Sequence, residues 1–191
     1  MKSIISVKFS YKFSELADDV KDKVIEKWYE TEDYPFLADD LTESLRDKAP
    51  YWQEPKLQYS LSYCQGDGLS FSARLDIPAF LAIHFKDHTR RKAIENYIYK
   101  ISALGNRGRY CFASENDIEM ECQYNHKEFK RLDKLADHVL EMAKSDYMGL
   151  CHDLQKEGYA ALEYRMTHEE FADHADANDY QYLEDGRQFN N

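Results

Sequence analysis

Two histidines four residues apart, His84 and His88, are the first candidates for chemistry, since that spacing on a helix puts both imidazoles on one face, where a metal is bound. The H-E-x-x-H pattern also needs a glutamate directly after the first histidine. Phe85 stands there, and no third ligand suggests itself. Gly66-Asp67-Gly68 would cradle a phosphate only if a helix followed to aim its amide N–H groups at the anion. Leu69-Ser70-Phe71-Ser72 follows and reads as a strand, so the glycines serve a hairpin turn. Gly105 and Gly108 likewise resemble a helix stop and a loop more than a nucleotide fingerprint. None of the serines occupies a G-x-S-x-G elbow, and Cys64, Cys111, Cys122 and Cys151 are widely spaced, with no C-x-x-C pair. Reduced thiols are expected, and with them neither a metal, a cofactor nor a catalytic residue. The chain reads as a binding protein, not an enzyme.

Charge carries more information. Asp and Glu number 36 against 25 Lys and Arg, a formal net charge of -11. That charge repels nucleic-acid phosphates and anionic membrane surfaces at long range, so direct nucleic-acid binding is disfavoured. From Lys86 to Arg109, seven basic residues stand against two acidic ones (Asp87, Glu95), a net of +5. From Met166 to Asn191, Glu169, Glu170, Asp173, Asp176, Asp179, Glu184 and Asp185 stand against Arg187, a net of -6. The acidic end either folds over the basic segment, a pairing that salt would weaken, or forms a strip facing a partner with a basic surface. In the second case these seven carboxylates are the partner-binding residues. A ligand site on a polar sheet face, built from Gln58, Ser60, Ser62, Ser70, Ser72, Arg74 and Gln123, is the alternative. Nucleic-acid binding through Arg90-Arg91-Lys92 is a third reading, testable by its salt dependence.

The elements that must position these residues follow from hydrophobic periodicity. Ile5, Val7, Phe9, Tyr11 and Phe13 alternate with polar residues as in a half-buried strand. Ser14 caps a helix carrying Leu16, Val20, Val24 and Trp28, and a second helix turns Phe36, Leu37, Leu41 and Leu45 inward. The stretch from Tyr51 to Pro55 reads as a connection. A hairpin pairs the alternation at Leu57–Tyr63 with that at Leu69–Leu75. Asp76-Ile77-Pro78 opens a helical region ending in Ile94, Tyr97, Ile98, Ile101 and Leu104, closed by Gly105. A second hairpin spans 109–124, with Tyr110 and Phe112 in one arm and a turn at Ser114-Glu115-Asn116-Asp117. A long helix from about Glu128 presents Leu132, Leu135, Val139, Met142, Leu150 and Leu154 and runs past Gly158 to Arg165. Thr167 caps a last helix, and Tyr180–Leu183 before Asp185-Gly186 reads as a short strand and turn.

The expected fold is therefore α+β: one domain over 1–191, with an antiparallel sheet of about five strands covered on one face by amphipathic helices. Residues 166–191 form its acidic C-terminal helix and short strand. The first residues lack the apolar core of a signal peptide, and no stretch reaches the roughly 18 apolar residues of a membrane span. A cytoplasmic protein is expected.

Phe13-Ser14-Glu15-Leu16 leading to Trp28-Tyr29, then Asp33-Tyr34-Pro35-Phe36, then Tyr59-Ser60-Leu61-Ser62-Tyr63-Cys64-Gln65-Gly66-Asp67-Gly68, resemble a group of small phage and prophage proteins often labelled antitoxin-like. The likeness covers the first third to half of the chain, and Asn178-Asp179-Tyr180 to Asp185-Gly186 is an ending of similar style. It implies a phage or mobile-element accessory protein that acts by stoichiometric binding to a host protein, as an antitoxin-like neutraliser or as an inhibitor of an anti-phage defence complex such as CRISPR-Cas. It brings no catalytic residues with it.

Overall fold

The computed structural model describes residues 9–31, 36–105, 110–122 and 130–189. The fold is α+β, with six helices and a four-stranded antiparallel sheet among these residues. The chain gathers into two compact units, Phe36–Tyr159 and Met1–Pro35 with Ala160–Asn191.

The larger unit is built on strands β1 (Trp52–Ser60), β2 (Gly68–Leu75), β3 (Ile98–Leu104) and β4 (Ile118–Cys122), in that spatial order. The first hairpin forms as its alternation requires, with Leu57 opposite Phe71 and Tyr59 opposite Leu69. It begins earlier than expected, at Trp52. The ladder shifts between Gln53 and Lys56, and Glu54 takes a φ of 52°, so Pro55, which has no N–H to donate, is absorbed in an irregularity of an edge strand.

The sheet has four strands where about five were expected. Of the segment 5–13, only Phe9 onward is described. A single antiparallel bridge joins Tyr11 to Tyr182, and the chain then turns into a 3-10 helix at Phe13–Glu15, fastened by the Glu15 carboxylate on the Lys12 N–H. A second departure concerns Ile98–Leu104, which the helical spacing assigns to a helix and the structure to a strand. The helix that begins at His88 stops at Tyr97, and the following residues pair with β4. The partner of β4 is therefore β3. Tyr110 and Phe112 lie outside any strand, whereas Ser114 caps the expected turn before β4.

Four helices complete this unit: α2 (Leu37–Lys48), α3 (Ile77–His84), α4 (His88–Tyr97) and α5 (Lys130–Arg165), the last up to Tyr159. Phe36 is exposed just before α2, while Leu37, Leu41 and Leu45 are buried as expected. Asp76 caps α3 through the Ala79 N–H, and Asp87 caps α4 through Thr89 and Arg90. Helix α5 buries a line of mostly small residues, Ala136, Val139, Ala143, Tyr147, Cys151 and Leu154. Tyr147 packs on Phe71 and Trp52, so α5 covers the apolar face of the sheet. Leu132, Leu135, Met142 and Leu150, expected inward, are half-buried flanks.

The smaller unit holds α1 (Asp18–Thr31), α6 (His168–Ala177) and the segment after α6. Helix α1 starts at Asp18, because Ser14 is used inside the 3-10 turn. Phe13, Leu16, Val24, Ile25, Phe171, Ala175 and Tyr182 form its core, with Trp28 against Phe171 and the Arg165 guanidinium 4.6 Å above the Trp28 ring. The expected C-terminal strand is a single residue, Tyr182, bridged to both Tyr11 and Gln188, and Gly186 supplies the φ of 83° that the turn needs.

Candidate functional site

Thr167 caps α6 through the Glu170 N–H, and burial of Phe171 and Ala175 sets which side of the helix faces solvent. Glu169, Asp173 and Asp176, four and seven residues apart, line its exposed side. Glu170 is half-buried and accepts from Tyr164, which pushes that phenol above its usual range. Asp176 pairs with Lys12 at 3.3 Å, and His168 meets Asp22 at 2.7 Å. The other three acidic candidates lie beyond α6. Asp179 takes a φ of 53°, and Glu184 lines a small concavity of about 240 Å³ with Tyr11 and Glu15. Asp185 is held below its usual pKa, first by the side-chain hydrogen bond from Arg187. Helix α6 thus unites four of the seven residues.

In the basic segment, Arg90 pairs with Asp87, Arg91 with Glu95, and Lys100 with Glu121. Arg107 and Arg109 lie outside the described residues. His84 ends α3 and His88 begins α4, so the two imidazoles do not share a helix face. Among the described residues, no group of three or more His, Cys, Asp or Glu is placed to hold a metal, and no helix is long and apolar enough to cross a membrane.

The sheet-face candidates are partly brought together. Gln58 lies opposite Ser70, so it shares a face with Ser60, Ser72 and Arg74, and the register continues that face into Ser102 and Glu119. Ser62 lies in the loop beyond β1, and Gln123 lies outside the described residues. Ser70 is fully buried and Ser60 donates to Asp67, so these hydroxyls serve the fold.

Two carboxylates missed by sequence reasoning organise the larger unit. Asp67 in the hairpin loop accepts from Ser60, from the N–H and thiol of Cys64, and from the Tyr159 hydroxyl at 2.6 Å. Burial works to raise its pKa, but these hydrogen bonds, led by Tyr159, outweigh it and lower the value to about 2. The loop they fix presents Tyr63 against Tyr159, the rings tilted at 37° with centroids 4.7 Å apart, while Tyr110 and Phe112 lie against Gly66 and Gly68. Asp146 on α5 accepts from the Tyr51 hydroxyl at 2.8 Å and the Trp52 indole N–H at 2.9 Å. The Tyr51 phenol is driven well above its usual range, first by burial and then by that hydrogen bond. Beside Asp146, a groove of about 450 Å³ runs along α5 toward His84.

No thiol looks activated among those that shift. Burial pushes Cys151 up to about 12, and Cys122 is raised by burial and by Asp133. No protein-family model, no curated protein and no solved structure matches the chain.

Proposed function

We propose that the protein acts by stoichiometric contact with a host protein that presents a basic surface, and that the solvent face of α6 makes the contact. The observation that carries this reading is the stripe of Glu169, Asp173 and Asp176, turned outward while Phe171 and Ala175 anchor the helix. Among the described residues, Asp176 of the three has a basic partner in an ion pair, Lys12, and that pair is exposed. Exposed carboxylates of this kind steer a cationic partner and set its orientation. The resemblance to phage and prophage antitoxin-like proteins supports the role: a neutraliser of a toxin, or an inhibitor of a host anti-phage defence complex.

The test uses the full chain and the triple variant E169Q/D173N/D176N, which removes charge without reversing it near the helix N-terminus. A partner recovered from host lysate is purified and titrated against both proteins. The expected result is a fixed stoichiometry and an association rate at least tenfold slower for the variant, with the difference shrinking as salt rises. Equal association rates would remove α6 from the contact.

A further inference from the structure

The outermost strand of a sheet presents main-chain donors and acceptors that a further strand satisfies, and the two edges of this sheet differ. Along β1 the edge is spoiled: Pro55 has no N–H to donate, Glu54 takes a φ of 52°, and the ladder shifts between Gln53 and Lys56. The β4 edge carries none of these devices. Ile118–Cys122 holds neither proline nor glycine, and all five residues have partners on β3; the extra residue at the irregularity there is Tyr99, on the β3 side. Among the described residues, no strand pairs with the side of β4 that faces away from β3. Every second residue of β4 turns its N–H and C=O to that side.

We propose that β4 is extended by a strand from another protein, an extended segment with basic residues at alternate positions. Glu119 and Glu121 are exposed on one face of β4, and alternate residues of an added strand fall opposite them. Within the sheet Glu119 lies opposite uncharged Ser102, whereas Glu121 meets Lys100 at 3.3 Å, so Glu119 exerts the stronger selection. On the other face Ile118 is buried and Met120 and Cys122 are half-buried, so the residues between the basic ones are apolar. A second copy of β4 does not fit this edge. Antiparallel pairing about Met120 sets Glu119 of each copy against Glu121 of the other, and like charges directly opposite are destabilising. The contact uses none of the α6 residues, and its test separates the two.

The experiment titrates the full chain with a capped peptide of about seven alternating valine and lysine residues, long enough to span β4. Saturable binding is expected, with amide hydrogen exchange slowed at alternate residues of Ile118–Cys122 and unchanged in β1. E119K alters only an exposed side chain, so it is expected to keep the melting temperature within about 2 °C while weakening the peptide about fivefold. The same peptide N-methylated at two adjacent central residues, which blocks both of its edges, is expected to lose binding. Equal affinity for the N-methylated peptide would overturn the proposal, because charge attraction without strand pairing then accounts for the binding. An absence of saturable binding, or protection confined to β1, would overturn it too. Loss of the peptide in E169Q/D173N/D176N would assign it to α6 instead. Protection of β4 that grows with protein concentration in the absence of peptide would give the edge to a second copy and overturn the foreign strand.

Discussion

Replacing Asp146 by alanine removes the single acceptor shared by two buried aromatic donors, and the cost follows from their burial. Trp52 is 1% exposed and Tyr51 is 6% exposed, so water has little access to either donor once the carboxylate is gone. Hydrogen bonds to a charged group contribute about 1.5–3 kcal/mol each, which gives roughly 3–6 kcal/mol for the two. Alanine returns about 0.5–0.7 kcal/mol of helix propensity. Position 146 is half-buried, so water entering there recovers a further part. The expected net loss is about 2–4 kcal/mol. The assay is urea unfolding followed by Trp52 fluorescence. The chain has two tryptophans, so a W28F background isolates that signal. Tyr51→Phe alone is expected to cost about 1–1.5 kcal/mol, and the double variant Y51F/D146A to fall short of additivity by about 1 kcal/mol or more. A loss below about 1 kcal/mol for D146A, or strict additivity in the cycle, would refute the shared-acceptor account.

Acid stability reports on the other carboxylate hub. The folded pKa of Asp67, about 2, lies below its ordinary value of 3.8, so its contribution is fully present above that ordinary value and is lost as pH falls toward 2. D67N is therefore expected to melt below the wild type at pH 7 and to match it near pH 2; a gap that persists at low pH would count against the charge-based account. Two glycines make a contrasting pair. A Cβ at Gly68 would come within 2.5 Å of Phe112 backbone, so G68A is expected to cost about 1–3 kcal/mol in urea unfolding. At Gly158 the contact is the far end of the Leu61 side chain, and alanine recovers up to about 1 kcal/mol of helix propensity, so G158A is expected to stay within about 1 kcal/mol of wild type. Equal losses at the two positions would show that backbone contact does not set the difference.

Much of the fold was legible because local pattern and tertiary burial agree there. The hairpin around Gly66-Asp67-Gly68 reads correctly since Leu57, Tyr59, Leu69 and Phe71 alternate with polar residues on both arms, and the register pairs them face to face. Ile98–Leu104 was misread for a specific reason. Ile94, Tyr97, Ile98 and Ile101 satisfy helical spacing, yet Ile98 and Ile101 also suit a strand, and pairing with β4 decides the contest. Val139 and Leu154 in the inner line of α5 were legible, and the rest was hidden for another reason. The larger aliphatic residues mark its flanks, while the closest packing uses Ala136, Ala143, Tyr147 and Cys151, which no hydropathy pattern emphasises.

The candidate site divides along a similar line. The acidity of the α6 segment was legible because charge is a local property, whereas the outward set of Glu169, Asp173 and Asp176 follows from the burial of Phe171 and Ala175. Asp67 and Asp146 were invisible among 36 acidic residues, since what distinguishes them is remote in the chain: Tyr159 lies 92 residues from Asp67, and Tyr51 and Trp52 lie 95 and 94 residues from Asp146. Total charge therefore describes this protein poorly. A carboxylate enclosed by donors has its negative charge consumed in holding two segments together, whereas one on the open side of α6 leaves its field directed into solvent. The two classes should separate under mutation. Neutralising Asp67 or Asp146 changes stability, and neutralising Glu169, Asp173 and Asp176 changes association while leaving stability nearly unchanged, because their helix is anchored by Phe171 and Ala175 on its opposite face.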